Sequence, residues 1–421
     1  MEQITFGPFR LDTITTTLLR DGHELELRPQ AFHALRALIH NRGRYVGYAQ
    51  MINQAWDGNL VSKHTVAVTI GEVKKTLGEF GLWITYRPKL GYRLDVPHSD
   101  DMVKQGWHFW SRRTREGFEK ALDCFQQAAI ENPSDFRAFE GISLCYLLLG
   151  TYGMRMPREM YNGFQQAHRR AVELCGLTPE RRADRAHGLH LFEHKFEEAE
   201  TELLQAQRES PESPEVYVRL TMLYITQGRL DDALNILLRA RTTHSLWPTV
   251  PANEILVRFF RREFDSAVAC GQKALELHPY LYLGRLFYGE ALERSGKPTQ
   301  ALEQYRLAVI MSPDLPWLRA VEAACMAKHG RRKEANAILT ELTQVRKAQY
   351  VDAYFMAMLF DALGDADQAF QELERAYREK SPALFAVRLD PRLDHLREDP
   401  RFTALVNRVF ANQDEPQAVS A

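Results

Sequence analysis

The sequence predicts a mostly α-helical fold in which a small N-terminal α/β domain precedes a long α-solenoid. The first observation is a 34-residue period in the second half of the chain, which is the signature of stacked helical repeats. The second is the residue pattern of positions 1–97, where short segments alternate apolar and polar side chains as strands do. The third is charge: residues 1–97 hold twelve Lys and Arg against nine Asp and Glu, whereas acidic residues are in excess over the rest of the chain.

Composition and cysteine usage indicate a globular protein kept in a reducing compartment. With 421 residues, of which 45% are hydrophobic and 26% charged, the chain is long enough for two or three domains. Its five cysteines are scattered and include no Cys-x-x-Cys pair, which predicts reduced thiols. No leader peptide is recognisable, and the most apolar stretch, residues 142–150, is far shorter than the roughly 20 residues that span a bilayer. We therefore expect a soluble, cytoplasmic protein without a membrane partner.

Small residues mark each period of the repeat region. They recur every 34 residues at Ala199, Ala233, Ala267, Ala301, Ala335 and Ala369. A second set follows seven residues later at Ala206, Ala240, Ala274, Ala308, Leu342 and Ala376. Five residues before four members of the first set, glycines are expected to end a helix at a tight turn: Gly228, Gly296, Gly330 and Gly364. Small side chains let two helix backbones approach closely, so the pattern predicts helices packed in pairs.

This pattern resembles the tetratricopeptide repeat, a helix–turn–helix unit of 34 residues. Residues 217–240 and 285–313 carry it clearly, and residues 118–133 fit an earlier unit. The interval from that unit to Ala199 holds ten residues beyond two periods, which we expect in the loop at residues 151–160. The resemblance implies a concave groove that holds a peptide or a partner protein.

The head of the chain, residues 1–97, is expected to combine strands with helices. Residues 4–11 and 16–27 alternate apolar and polar side chains and are interpreted as strand segments. Proline suits the first turn of a helix, which places a first helix from Pro29, and a second helix is expected over residues 48–56.

A third helix and the hairpin after it carry most of the functional information. Helical spacing gives residues 62–78 a buried face formed by Val66, Ile70, Val73 and Leu77. Ser62 is the expected N-cap of this helix. Residues 83–96 then predict a strand, a tight basic turn through residues 87–89 and a returning strand.

The order of strands, three helices and a terminal hairpin resembles the OmpR/PhoB-type winged helix-turn-helix. Within it, "VSKHTVAVTIGEVKKTLG" (61–78) and "YRPKLGYRL" (86–94) are most similar to the CadC/HilA-like branch. The resemblance implies a bacterial-type transcription regulator whose third helix lies in the DNA major groove, with the hairpin wing against the neighbouring minor groove.

This geometry sorts the candidate DNA-binding residues into two groups. Base reading is expected of side chains on the third helix: His64, Thr65, Val68, Thr69 and Glu72. Phosphate or wing contacts are expected of Lys63, Lys74, Lys75, Arg87, Lys89, Tyr92 and Arg93. Family members often carry arginines where this chain has Gly71-Glu72, so their base preference does not carry over.

The predicted domain boundaries follow from these two resemblances. They are a DNA-binding head at 1–97, a linker or first repeat helix at 98–117, a repeat solenoid at 118–389, a capping helix at 390–410 and a disordered tail at 411–421.

The sequence nominates no catalytic centre. It has no Gly-rich phosphate loop, no Gly-x-Ser-x-Gly and no His-Glu-x-x-His. His187, His190 and His194 fall near one helix face, as metal ligands would, but the repeat register puts the first two at packing positions. We expect buried packing histidines, and neither an enzyme, a metal nor a cofactor.

The head and the repeats together predict a one-component transcription regulator that binds promoter DNA. Double-stranded DNA is the expected partner of the head, and RNA polymerase, another protein or an effector is the expected partner of the repeat groove, with a homodimer left open. The alternative is a tetratricopeptide scaffold whose winged head is a protein-interaction module, and it would show no DNA binding at low salt.

Overall fold

The structure, a computed structural model, describes these stretches of the chain: 3–6, 9–20, 23–95, 99–243 and 249–411. Of the predicted tail, residues 412–421 lie outside the described residues. The chain divides into two units. Unit 1 comprises Met1–Ser111 with Lys120–Gly141, and unit 2 comprises Arg112–Glu119 with Ile142–Ala421.

A four-stranded antiparallel sheet opens unit 1. Its strands follow one another in chain order as β1 (Gln3–Phe6), β2 (Phe9–Asp12), β3 (Thr17–Arg20) and β4 (His23–Leu25). The segment predicted as a strand over residues 4–11 is therefore two strands, with Ile4 opposite Leu11 in the register. The sequence Gly-Pro separates them, and proline cannot donate a hydrogen bond to a sheet ladder.

Three helices and a hairpin complete the head. They are α1 (Pro29–His40), α2 (Tyr48–Ala55), α3 (Lys63–Leu77), a 3-10 turn (Gly78–Trp83), β5 (Ile84–Arg87) and β6 (Gly91–Leu94). Sheet, helices and hairpin share one apolar core, to which Phe9, Phe32 and Leu94 contribute fully buried side chains. This arrangement is a winged helix-turn-helix, as the sequence predicts.

The described residues that follow the head form mainly helices. The first helices after the head are α4 (Ser99–Trp110), α5 (Arg115–Glu131), α6 (Phe136–Thr151), α7 (Pro157–Cys175), α8 (Pro179–Gly188), α9 (Phe196–Glu209), α10 (Pro214–Thr226) and α11 (Leu230–Thr243). They are followed by α12 (Thr249–Phe260), α13 (Phe264–Leu277), α14 (Tyr282–Arg294), α15 (Pro298–Met311), α16 (Pro316–Lys328), α17 (Arg332–Val345), α18 (Ala353–Ala362), α19 (Ala366–Glu379) and α20 (Pro400–Val409). Among the described residues, no helix is both long and apolar enough to cross a membrane.

The 34-residue register is confirmed in unit 2, where α8 to α19 pack as successive helical hairpins. All six alanines of the first set, from Ala199 to Ala369, are fully buried between helices. The four predicted glycines take φ between 75° and 83° at the ends of α10, α14, α16 and α18. Glycine reaches this left-handed region without the penalty of a Cβ, so each hairpin turns where the sequence marks it.

Two local features differ from the regular repeat. The surplus residues before Ala199 are not confined to the predicted loop, because α7 has 19 residues whereas α9 has 14. Residues 390–410 hold a 3-10 helix (Pro391–Leu396) followed by α20, where the sequence suggested one helix.

Candidate nucleic-acid interface

Helix α3 is fixed to the head by one face. Its first turn is capped by the Ser62 side chain, which accepts a hydrogen bond from the Thr65 backbone N–H at 3.0 Å. The predicted stripe from Val66 to Leu77 is buried in the head core, with 0–2% of each side chain exposed. The cap and the buried stripe, both expected from the sequence, determine which side of the helix faces solvent.

The opposite face of α3 is open. Its exposed positions include five of the predicted contact residues and Gly71, and these are Lys63, His64, Thr65, Val68, Gly71 and Lys75. Val68 is 52% exposed and presents an apolar side chain on this face. At Gly71 no atom beyond the neighbouring backbone of α3 lies within 4 Å of where a Cβ would stand, so another molecule can approach the backbone closely.

Thr69 departs from its predicted role. Only 7% of the residue is exposed, and its hydroxyl donates to the Thr65 carbonyl at 3.0 Å. Its burial places Thr69 on the core side of the helix. Its hydroxyl finds a hydrogen-bond acceptor in the backbone of the preceding turn. It is not presented with His64 and Val68 on the open face.

Glu72 is held by an arginine from another part of the head. The Arg28 guanidinium Nε lies 2.8 and 2.9 Å from the two Glu72 carboxylate oxygens, and a second nitrogen of the same group also contacts the carboxylate. This hydrogen-bonded pair lowers the pKa of Glu72 and leaves 21% of its side chain exposed. Sequence reasoning missed Arg28, which lies 44 residues away and shares no periodic pattern with α3.

The wing is tied to the loop before α2. Val46 exchanges both backbone hydrogen bonds with Tyr92, at 2.7 and 3.1 Å, so that it pairs with β6 as an isolated bridge. Arg87 and Lys89 are exposed at the turn of the hairpin, and Tyr86 beside them is 58% exposed. The basic turn predicted from the sequence thus projects into solvent from an anchored hairpin.

The remaining predicted phosphate or wing contacts are partly buried or already paired within the head. Arg93 donates to Asp95 at 2.7 Å and stacks over the Tyr45 ring at 4.7 Å. Tyr92 packs against Tyr86 with ring centroids 4.9 Å apart, and partial burial raises the pKa of Tyr92. Lys74 is half-buried.

The three histidines singled out in the sequence lie in unit 2, where α8 runs into a π-helical turn (Leu189–Glu193). His187 and His190 are buried, and His190 Nε2 lies 2.7 Å from the Thr226 hydroxyl. Burial lowers the pKa of His190 to about 3 and that of His194 to about 4, which keeps both imidazoles neutral. His187 and His190 therefore pack within unit 2, whereas His194 is only partly buried.

A capped helix with one open basic face, followed by an anchored basic hairpin, defines a DNA-binding winged-helix domain. Residues 22–94 match the family described as "Transcriptional regulatory protein, C terminal", and residues 191–244 and 253–316 match two tetratricopeptide repeat families. The chain thus carries an OmpR/PhoB-type transcriptional regulator domain followed by tetratricopeptide repeats.

Two curated relatives match part of the chain. The chain is 34% identical over 86 residues to the transcriptional regulatory protein CutR of Streptomyces coelicolor, which is 20% of this chain and 39% of CutR. It is 26% identical over 98 residues to the transcriptional activator CadC of Escherichia coli, which is 22% of this chain and 19% of CadC. The chain therefore spans well under half of the length of either relative.

Solved structures resemble the chain in fold. The human IFIT1 dimer with m7Gppp-AAAA is 15% identical, with a TM-score of 0.52 over 84% of this chain and 91% of that chain. A monomeric IFIT1 mutant with a capped RNA reaches a TM-score of 0.55 over 90% of both chains. At this identity the likeness concerns the helical-repeat fold alone.

Proposed function

We propose that this chain is a cytoplasmic one-component transcription regulator that binds promoter DNA through its head. Helix α3 enters the major groove, and the β5–β6 wing lies on the neighbouring minor groove. The observation that carries the proposal is the open face of α3, which stands opposite a fully buried face and beside an exposed basic wing.

Phosphate contacts supply most of the affinity in this arrangement. The exposed cations Lys63, Lys75, Arg87 and Lys89 are the principal candidates. Lys74, Tyr92 and Arg93 are secondary, because each is partly buried or already paired within the head.

Base reading falls to the open side chains of α3. His64 and Thr65 offer hydrogen-bonding groups, and Val68 offers an apolar surface to a thymine methyl. Glu72 can accept a hydrogen bond from cytosine only while its carboxylate also binds Arg28, so the two side chains contact DNA together. Thr69 is left out because it is buried.

The repeats give the regulator its second partner. Helical hairpins stacked at a fixed period form an extended surface of the kind that binds a protein or peptide. We propose that unit 2 binds RNA polymerase, another protein or an effector, or mediates homodimer formation, and thereby couples promoter occupancy to a signal.

The test is a mobility shift of sheared genomic DNA with the full chain. Wild-type protein is expected to retain DNA at low salt, and the double variant Lys75→Ala, Arg87→Ala to bind at least about 10-fold more weakly, since each removes a phosphate contact. The matched control Lys273→Ala, Lys333→Ala removes the same charge from exposed positions of unit 2 and is expected to bind as wild type. Absence of binding at low salt contradicts the proposal and favours the scaffold alternative.

A further inference from the structure

Three potential metal ligands converge in unit 2, outside the DNA-binding head. Donor atoms of Glu293, Cys325 and His329 all lie within 4.8 Å of one another. Glu293 stands in the last turn of α14, and Cys325 and His329 stand four residues apart at the end of α16. A spacing of four residues puts both side chains on one face of a helix, as in many protein metal sites.

The local structure fixes these side chains from several directions. Cys325 is buried, with 1% of the residue exposed, and the His329 backbone N–H closes the helical turn on the Cys325 carbonyl at 3.2 Å. The Tyr305 hydroxyl, on α15, donates to Glu293 Oε2 at 3.0 Å. Glu293 Oε1 faces His329 Nε2 at 4.0 Å. A hydrogen bond to the second carboxylate oxygen is how proteins orient a metal-binding carboxylate.

The electrostatic setting also suits a cation. Helices α14 and α16 both end at the cluster, so the negative ends of two helix dipoles point towards it. Burial and the Glu293 carboxylate raise the pKa of the Cys325 thiol, and the nearby cations Lys328 and Arg331 oppose this rise only in part. Arg331 is itself paired with Glu334 at 2.7 Å. The side chain of His329 is 34% exposed, so this ligand can be reached from solvent.

We propose that Glu293, Cys325 and His329 bind a divalent transition-metal ion of the Zn²⁺ class. One sulfur, one nitrogen and one oxygen donor match the ligands that zinc takes in proteins. Zinc bond lengths of about 2.0–2.3 Å bring tetrahedral donors to roughly 3.3–3.6 Å from one another, so the side chains close by about 1 Å on binding. The thiol proton leaves to solvent as the sulfur binds.

The ion would join two successive repeats, because α14 and α16 are the first helices of neighbouring hairpins. Glu293 also lines a small cavity with Lys328 and Tyr305. This inference is independent of the proposed DNA binding, since it concerns side chains of unit 2 alone.

The test is an anaerobic titration of tag-free, metal-stripped full chain with Co²⁺, followed by displacement with Zn²⁺. One Co²⁺ per chain is expected, with the ultraviolet charge-transfer band that reports a thiolate bound to cobalt. Cys325→Ser is expected to abolish the band and to weaken binding at least about 100-fold, because even second-shell losses cost 10–100-fold. Cys175→Ser removes an exposed thiol on α7 and is expected to change nothing.

Two further variants keep the inference testable if Cys325→Ser unfolds. Glu293→Gln keeps an acceptor for Tyr305, and His329→Gln changes a partly exposed position at a helix end. Each is expected to keep the wild-type circular dichroism spectrum and to weaken Co²⁺ binding at least about 10-fold. A chain that gives no charge-transfer band, or variants that bind Co²⁺ as tightly as wild type, would overturn the inference.

Discussion

Gly91 is the residue on which the wing depends most directly. It adopts φ of 103°, and a Cβ at this position would overlap the Val46 carbonyl oxygen across the bridge to β6. Because that oxygen belongs to the backbone, no side-chain rotation relieves the overlap. The two-hydrogen-bond attachment of the wing therefore requires glycine here.

Gly91→Ala is expected to lower the free energy of unfolding of the head by at least about 1–3 kcal/mol, through backbone strain and steric overlap. The measurement is a urea unfolding midpoint monitored by circular dichroism. Gly71→Ala is the matched control, because it stands in a helix with nothing near its Cβ and is expected to be neutral or slightly stabilising. Equal midpoints for the two variants would contradict this reading of the wing.

His190 gives a prediction about pH. Its pKa is lowered by burial to about 3, whereas an unfolded histidine titrates near 6.5. Below pH ~6.5 the unfolded state therefore binds more protons than the folded state. The contribution of neutral His190 to the free energy of unfolding is complete above pH ~6.5 and is lost as pH falls towards 3.

His190→Gln is expected to make the decline of stability between pH 6 and 4 shallower by up to about 1.4 kcal/mol per pH unit, because one titrating group is removed. Glutamine keeps a hydrogen-bonding group for Thr226. The measurement is the thermal midpoint across this pH range. An unchanged slope in His190→Gln would refute the prediction.

At the scale of elements, the helical hairpins depend on small residues at their crossings. Ala301 is fully buried where α15 packs on α14, and its equivalents recur at each 34-residue step. A larger side chain has no free volume to enter, so it must push two helices apart.

Ala301→Leu is therefore expected to cost about 1–3 kcal/mol or more of repeat stability. Glu303→Leu adds an apolar side chain of the same size to an exposed position of the same helix and is expected to be nearly neutral. Differential scanning calorimetry of the full chain distinguishes them. Equal transition temperatures for the two variants would show that the alanines repeated every 34 residues are not packing positions.

The elements also show what sequence reasoning reaches and where it stops. The buried faces of α3 and of the repeats were predictable because their periodicity is local in the chain. The Arg28–Glu72 pair and the cluster of Glu293 with Cys325 were not, because each joins residues on different elements whose spacing carries no pattern. Thr69 was predicted to face DNA although it is buried. At the edge of the buried stripe its hydroxyl can donate to the Thr65 carbonyl one turn earlier, so a polar side chain is accommodated there.

At the scale of the whole molecule, an OmpR/PhoB-type head and tetratricopeptide repeats stand on one chain. The head brings exposed basic side chains on one open helix face and on the wing, and the repeats bring stacked helical hairpins. Regulation by this chain then requires that the head bind DNA with a measurable dependence on salt.

The most direct measurement is the affinity of the full chain for genomic fragments that it selects from a sheared library, determined across a salt series. Four exposed cations on α3 and the wing predict that log K falls linearly with log salt, with a slope near −4 for each bound head. Footprinting of the selected fragments should show one protected major groove with a flanking minor groove. Failure to select any fragment at low salt, or an affinity indifferent to salt, would contradict DNA binding by this head.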